Sequence, residues 1–144
     1  MTKKLFFYVF FACLGVTTEV CFVAIRHLIA GVGYCDEPLW ALTGKSYIWM
    51  IPIYMCIPLV AQPLFTRCQH LSLLVRLSIY TFILLFVEFT SGFILELLTG
   101  SCPWLYTTGW HVMGYIRLDY IPAWMLFLYV VEYLYLYLSK HLSI

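Results

Sequence analysis

The sequence predicts an all-α membrane protein with four transmembrane helices, both termini cytoplasmic, in a single multi-pass domain over residues 1–144. Three observations lead there: a composition too apolar for water, four apolar runs of spanning length, and an uneven spread of basic residues. Of 144 residues, 64% are hydrophobic and only 10% are charged, against roughly 45–50% apolar and about 25% charged in a soluble domain. So few charges cannot hydrate a surface, and lipid must cover most of this one. The formal charge of +1 and the lack of a basic cluster argue against a nucleic-acid partner.

A helix needs about 20 mostly apolar residues to cross the hydrocarbon core. The first run, 5–25, follows Lys3 and Lys4 and resembles the start of a secretory signal. Its apolar stretch continues past Glu19, and the nearest small-x-small site, Gly31-Val32-Gly33, lies beyond Arg26. An uncleaved first span is therefore expected. The second run, 48–65, contains Pro52, Pro58 and Pro63, each of which removes a backbone hydrogen bond and favours a kink. The third covers 77–98 and the fourth 121–138. A loop from Arg26 to Tyr47, a turn from Thr66 to Arg76 and a loop from Thr99 to Tyr120 join them. Helices are the expected element because lipid offers no partners to an open backbone.

With the N-terminus inside, Lys3, Lys4, Arg67, Arg76 and Lys140 are cytoplasmic, while Arg26, Lys45 and Arg117 lie outside. That excess follows the positive-inside rule, and Trp40, Trp49, Trp104 and Trp110 then gather near the outer interface.

The halves look alike. One reads Cys35-Asp36-Glu37-Pro38-Leu39-Trp40 before a span near Ile51-Pro52; the other reads Cys102-Pro103-Trp104 before Ile121-Pro122. Glu19 and Glu88 stand in the preceding spans. Two helix–loop–helix repeats, related by an axis along the membrane normal, account for this. So does the ordinary gathering of Trp, Pro and Gly at interfacial loops.

The strongest anomaly is four carboxylates inside the spans: Glu19, Glu88, Glu96 and Glu132. An ionisable group within a bilayer costs several kcal/mol by insertion scales and marks a functional candidate. Glu88, Gly92 and Glu96 fall at i, i+4 and i+8 on one face, with Thr81 and Ser91 beside them. Gly15, Glu19, Phe22 and Arg26 share a face of the first span. Three readings stand: carboxyls that hydrogen-bond across helices as structural glue, a solute or ion path, and catalysis. Glu96 and Glu132 sit nearer the span ends, so Glu19 and Glu88 carry more weight. The candidate ligand-binding set is Glu19, Glu88, Glu96, Trp104, His111, Arg117 and Asp119. In the second outer loop Trp104, Tyr106, Trp110, His111, Tyr115, Arg117 and Asp119 make either a binding lid or an interfacial anchor.

Cys35 and Cys102 occupy equivalent outer-loop positions and can form a disulfide in an oxidising compartment. Together with His27 and His111 they lack any short metal-ligand spacing, so no metal is expected. No GxxxxGK[ST], HExxH, GxSxG or GxGxxG is present. No cofactor and no catalytic residue is assigned.

Three ordered segments then carry a resemblance. They are Glu88-Phe89-Thr90-Ser91-Gly92-Phe93-Ile94-Leu95, Cys102-Pro103-Trp104-Leu105-Tyr106, and Met113-Gly114-Tyr115-Ile116-Arg117-Leu118-Asp119-Tyr120. With Gly15, Glu19 and Trp49-Met50-Ile51-Pro52-Ile53-Tyr54, the chain resembles the transmembrane protein 229 family, within the CmpB-like, ABC-transporter type IV membrane group. Members usually show Trp-Asp-Tyr where this chain has Trp104-Leu105-Tyr106, and bacterial relatives place Arg where Tyr115 stands. The resemblance implies a four-helix multi-pass protein with Glu19, Glu88, Trp104 and Gly114 at matching positions. The expected function is a transporter-like or permease-like component binding a small solute or ion at the Glu19/Glu88 seam, which would need a partner to enclose a path, either further copies or a membrane or ATPase subunit. The alternative is a non-catalytic membrane scaffold; an intramembrane enzyme acting on lipid ranks below both.

Overall fold

The computed structural model describes residues 2–30, 41 and 43–142. It is about 75% helical, with almost no sheet. Helix α1 spans Lys3–Ala30, α2 Met50–Met55, α3 Ile57–Cys68, α4 Leu73–Thr99 and α5 Ile121–Leu142. A two-stranded hairpin, β1 His111–Val112 and β2 Ile116–Arg117, and a 3-10 turn at Leu118–Tyr120 lie between α4 and α5. Four helical stretches are long and apolar enough to cross a membrane: 3–29, 50–68, 73–99 and 118–142. In none is more than 28% of the most apolar stretch buried. The apolar side chains therefore face outward, as they must when lipid is the solvent. The chain is a multi-pass membrane protein.

The first and third helices overrun the expected spans at both ends and the second and fourth at their C-terminal ends, while the second starts at Met50, two residues later than expected; hydrophobicity marks only the part within hydrocarbon, whereas backbone hydrogen bonding continues beyond it. The turn expected over Thr66–Arg76 shrinks accordingly: α3 runs to Cys68 and α4 begins at Leu73, placing Arg76 inside a helix. At its far end α4 stops on Gly100, whose φ of 81° lets its N–H reach the Glu96 carbonyl at 2.8 Å. This is the left-handed glycine cap common at helix ends.

The second span breaks where its prolines predict. Pro58 has no N–H to offer the Tyr54 carbonyl and its ring crowds that group. The helix ends at Met55 and resumes at Ile57, while Pro63 is carried within α3.

The chain divides into two compact units, one reaching to Val60 and one from Ala61 to His141. In the first, α1 packs on α2. Gly15 makes this possible, because a Cβ there would run into the Tyr54 ring. In the second, α5 turns Phe127, Leu128, Val131, Glu132 and Tyr135 inward at helical spacing. Helix α4 does the same with Leu77, Tyr80, Thr81, Gly92 and Leu95. Phe65 of α3 stacks edge-wise on Tyr135 at 5.4 Å and tilted on Tyr80 at 4.8 Å.

Candidate functional site

Hydrocarbon supplies no hydrogen bonds, so each carboxyl in a span needs a partner from the chain itself. In the first unit Glu19 finds two. Ser46 Oγ donates to its Oε2 at 2.8 Å, and Tyr54 Oη donates to the same oxygen at 3.4 Å. The acid on α1 thereby ties down both α2 and the loop before it.

The second unit has two such places. At one end, Glu88 and Glu96 lie two helical turns apart on α4, with Gly92 between them. The connection to α5 folds back over this stripe. Tyr106 Oη donates to Glu88 Oε1 at 3.0 Å. A Cβ on Gly92 would meet Cys102 Sγ and Tyr115 Cδ1 at 3.3 Å and Trp104 Cζ2 at 3.4 Å. A larger residue would thus lift three side chains off the helix. The Tyr115 ring lies edge-on to Phe89 at 5.2 Å and to Phe93 at 6.1 Å. A hydrogen bond to the Glu96 carboxylate pushes the Tyr115 phenol above its ordinary pKa, and burial adds to this.

The backbone of this cap is set by its turn. Tyr115 N–H bonds the Val112 carbonyl at 3.1 Å, with Met113 at φ 52° and Gly114 at φ 79°. Two left-handed residues in succession are what a type I′ hairpin turn requires. The turn aims Tyr115 back at α4, and Trp104 Nε1 secures it by donating to the Tyr115 carbonyl at 3.2 Å. Tyr106 N–H bonds the Gly114 carbonyl at 2.8 Å. Gly114→Val meets two obstacles, the left-handed φ and Leu105 Cδ1, which would lie 2.7 Å from a Cβ. We expect it to cost at least about 1–2 kcal/mol; a thermal melt in detergent indistinguishable from wild type would contradict this.

Beside the cap, Arg117 grips Asp119 with Nε–Oδ1 at 2.9 Å and Nη2–Oδ2 at 2.7 Å. Its guanidinium also lies 4.4 Å from the Tyr120 ring centre, and Tyr120 meets Tyr106 edge-on at 5.9 Å. The hydrogen bonds to Asp119 hold the Arg117 charge more firmly than usual and outweigh its partial burial. Arg117, Asp119 and Tyr120 therefore brace Tyr106, which in turn holds Glu88. Burial pushes the Cys102 thiol up, and the nearby Glu96 and Glu88 carboxylates add to the effect. A thiol in that setting is a weak nucleophile at neutral pH.

At the other end of the unit sits the most deeply buried acid. Glu132 on α5 is 2% exposed. Its Oε2 lies 3.2 Å from Arg76 Nε, and Tyr80 Oη donates to its Oε1 at 2.9 Å. Position along a span ranked Glu132 below Glu19 and Glu88; the packing reverses that order, because a helix's inward face, not its midpoint, decides burial.

Of the residues singled out in the sequence, the structure thus gathers Glu88, Glu96, Trp104, Arg117 and Asp119 around one cap. Glu19 belongs to the first unit. His111 is exposed on β1, where its register partner is Arg117. Cys102 is buried in the cap; Cys35 lies outside the described residues, and so does the pairing expected between them. The sequence reading missed Ser46, Tyr54, Tyr80, Tyr106 and Tyr115 as the partners of the acids, and Arg76 as the counter-ion of Glu132. The available signal was the count of buried acids, each of which demands a donor. No family model matches the chain, and no solved structure matches it.

Proposed function

We propose that this chain is a non-catalytic membrane scaffold or interaction protein whose intramembrane carboxyls act as ties between its elements. One observation carries the reading: three of the acids in the spans accept hydrogen bonds from groups of their own unit. Glu19 accepts from Ser46 and Tyr54, Glu88 from Tyr106, and Glu132 from Tyr80, with Arg76 as its counter-ion. A carboxyl that already accepts from an internal donor is a joint before it is a ligand.

A second reading is favoured by the cap itself. Glu88 and Glu96 sit on one face under an aromatic hairpin, a layout that suits a transporter-like component taking an ion or small solute. Two variants separate the readings. Glu88→Gln keeps an acceptor for Tyr106, whereas Glu88→Leu leaves that hydroxyl without one. As a tie, the Gln variant should melt within about 1 kcal/mol of wild type, while the Leu variant should lose about 1–3 kcal/mol. Proton and sodium flux into dye-loaded liposomes should be negligible for wild type and both variants. Flux in wild type that Glu88→Gln abolishes would overturn the scaffold reading in favour of transport.

A further inference from the structure

Helices α4 and α5 run antiparallel within the second unit. Glu132 meets Arg76 and Tyr80 near the start of α4, while Tyr120, just before α5, meets Tyr106, the partner of Glu88. Their ends at the hairpin are not level. At 1.5 Å per residue, Ile121 stands about 16 Å from Glu132, and the same rise from Tyr80 reaches only Ser91. Side chains lean toward the N-terminus of their own helix, which sets α5 lower still. Helix α4 therefore runs on past the start of α5 for about 12 Å, to Thr99.

The contacts of the connection give the same level independently. Cys102, Trp104 and Tyr115 lie against Gly92, Tyr115 also meets Phe89 and Phe93, and Tyr106 reaches Glu88. The chain after Thr99 does not stand on the end of α4; it turns back along its side. Helix α4 alone bounds the depth of that level. A crossing takes at least about 17 residues, so within α4 it covers at one extreme about 73–89 and at the other about 83–99. Both hold Glu88 and Phe89. The second extreme fits the apolar pattern. Leu97 and Leu98 are 71% and 76% exposed, so their own unit leaves them open, and a boundary level with Ser91 would stand them in water.

Lipid cannot line such a hairpin. Non-helical backbone at membrane depth persists only inside protein or beside water. Thr107, Thr108, Gly109 and His111 are exposed. Asp119, paired with Arg117 at 2.7 Å, keeps 37% of its side chain open, and a charge laid against hydrocarbon costs several kcal/mol. We infer that the connection between α4 and α5 is a re-entrant hairpin lining a water-filled vestibule, whose floor is the Tyr106–Glu88 pair. The vestibule admits water and small hydrated solutes rather than acyl chains. It is compatible with Glu88 as a tie and with Glu88 as a binding group, because it follows from the level of the hairpin alone.

Spin labels in liposomes test this. With the six native cysteines replaced by alanine, Thr107→Cys or Leu97→Cys receives a nitroxide. Thr107 adjoins Tyr106, whose level Glu88 fixes; Leu97 stands about 13 Å nearer the end of α4 than Glu88 does. Collisions with a water-soluble nickel chelate should be at least about tenfold more frequent at 107 than at 97, where oxygen dissolved in lipid should dominate instead. Equal nickel collisions at the two positions would put the end of α4 in water and overturn the inference. Oxygen dominating at 107 would lay lipid against the hairpin and overturn it too. Hydrogen exchange of the unaltered protein in lipid nanodiscs guards against a misfolded variant. The amides of Thr107, Thr108 and Gly109 should exchange far faster than those of α4; protection equal to that of α4 overturns the inference.

Discussion

Arg76→Ala should destabilise the protein by about 3–5 kcal/mol, the usual cost of removing one partner from a buried ion pair. Glu132 sits 2% exposed between α4 and α5, and Arg76 is its only counter-ion among the described residues. Tyr80, itself 1% exposed, donates to the other oxygen, but a neutral phenol does not balance the charge. Unfolding can be followed with a thiol-reactive dye, because Cys68 and Cys102 are both buried and label as the bundle opens. The informative companion is the double variant Arg76→Met with Glu132→Leu. Well-packed apolar replacements of a buried pair are often neutral or stabilising, so the double variant, with Tyr80→Phe added because Glu132 is the acceptor of the buried Tyr80 hydroxyl, should melt near or above wild type. Should Arg76→Ala alone melt like wild type, the pair would not be holding α4 to α5.

The second large effect is expected at Gly15. A Cβ there occupies the space of the Tyr54 ring, and that contact is at the root of the ring, not at the free end of a flexible chain. Gly15→Val must push α2 away from α1 and draw the Tyr54 hydroxyl off Glu19. Overpacking costs about 1–3 kcal/mol, and the lost hydrogen bond adds about 1 kcal/mol. A combined loss near the upper end of that range should be visible as a lowered thermal melt in detergent. Tyr54→Phe isolates the hydrogen bond alone and should cost only about 1 kcal/mol. Equal losses in the two variants would mean that the close approach at Gly15 contributes nothing.

The cap over α4 shows how far a sequence can be read. Glu88, Gly92 and Glu96 announce a shared face through their spacing alone, since helical geometry is local and periodic. What meets that face is not periodic. Tyr106 and Tyr115 reach it only because a two-residue turn, with Met113 and Gly114 both left-handed, reverses the chain at one place. The hairpin is too short to leave an alternating pattern. Tyr106 and Tyr115 look no different in sequence from the exposed Tyr129, Tyr133 and Tyr137 of α5.

What the sequence determined by itself is the solvent and the number of crossings. Lipid demands long apolar runs and punishes charge, and both constraints are written residue by residue; the proline break between α2 and α3 is legible for the same local reason. What only the tertiary structure decided is which donor answers each buried acid. Glu19 meets Ser46 and Tyr54 across 27 and 35 residues, and Glu132 meets Tyr80 across 52. Such pairings follow from how helix faces rotate and pack against one another. No single helix carries that information, because its hydrogen-bond partners belong to another part of the chain.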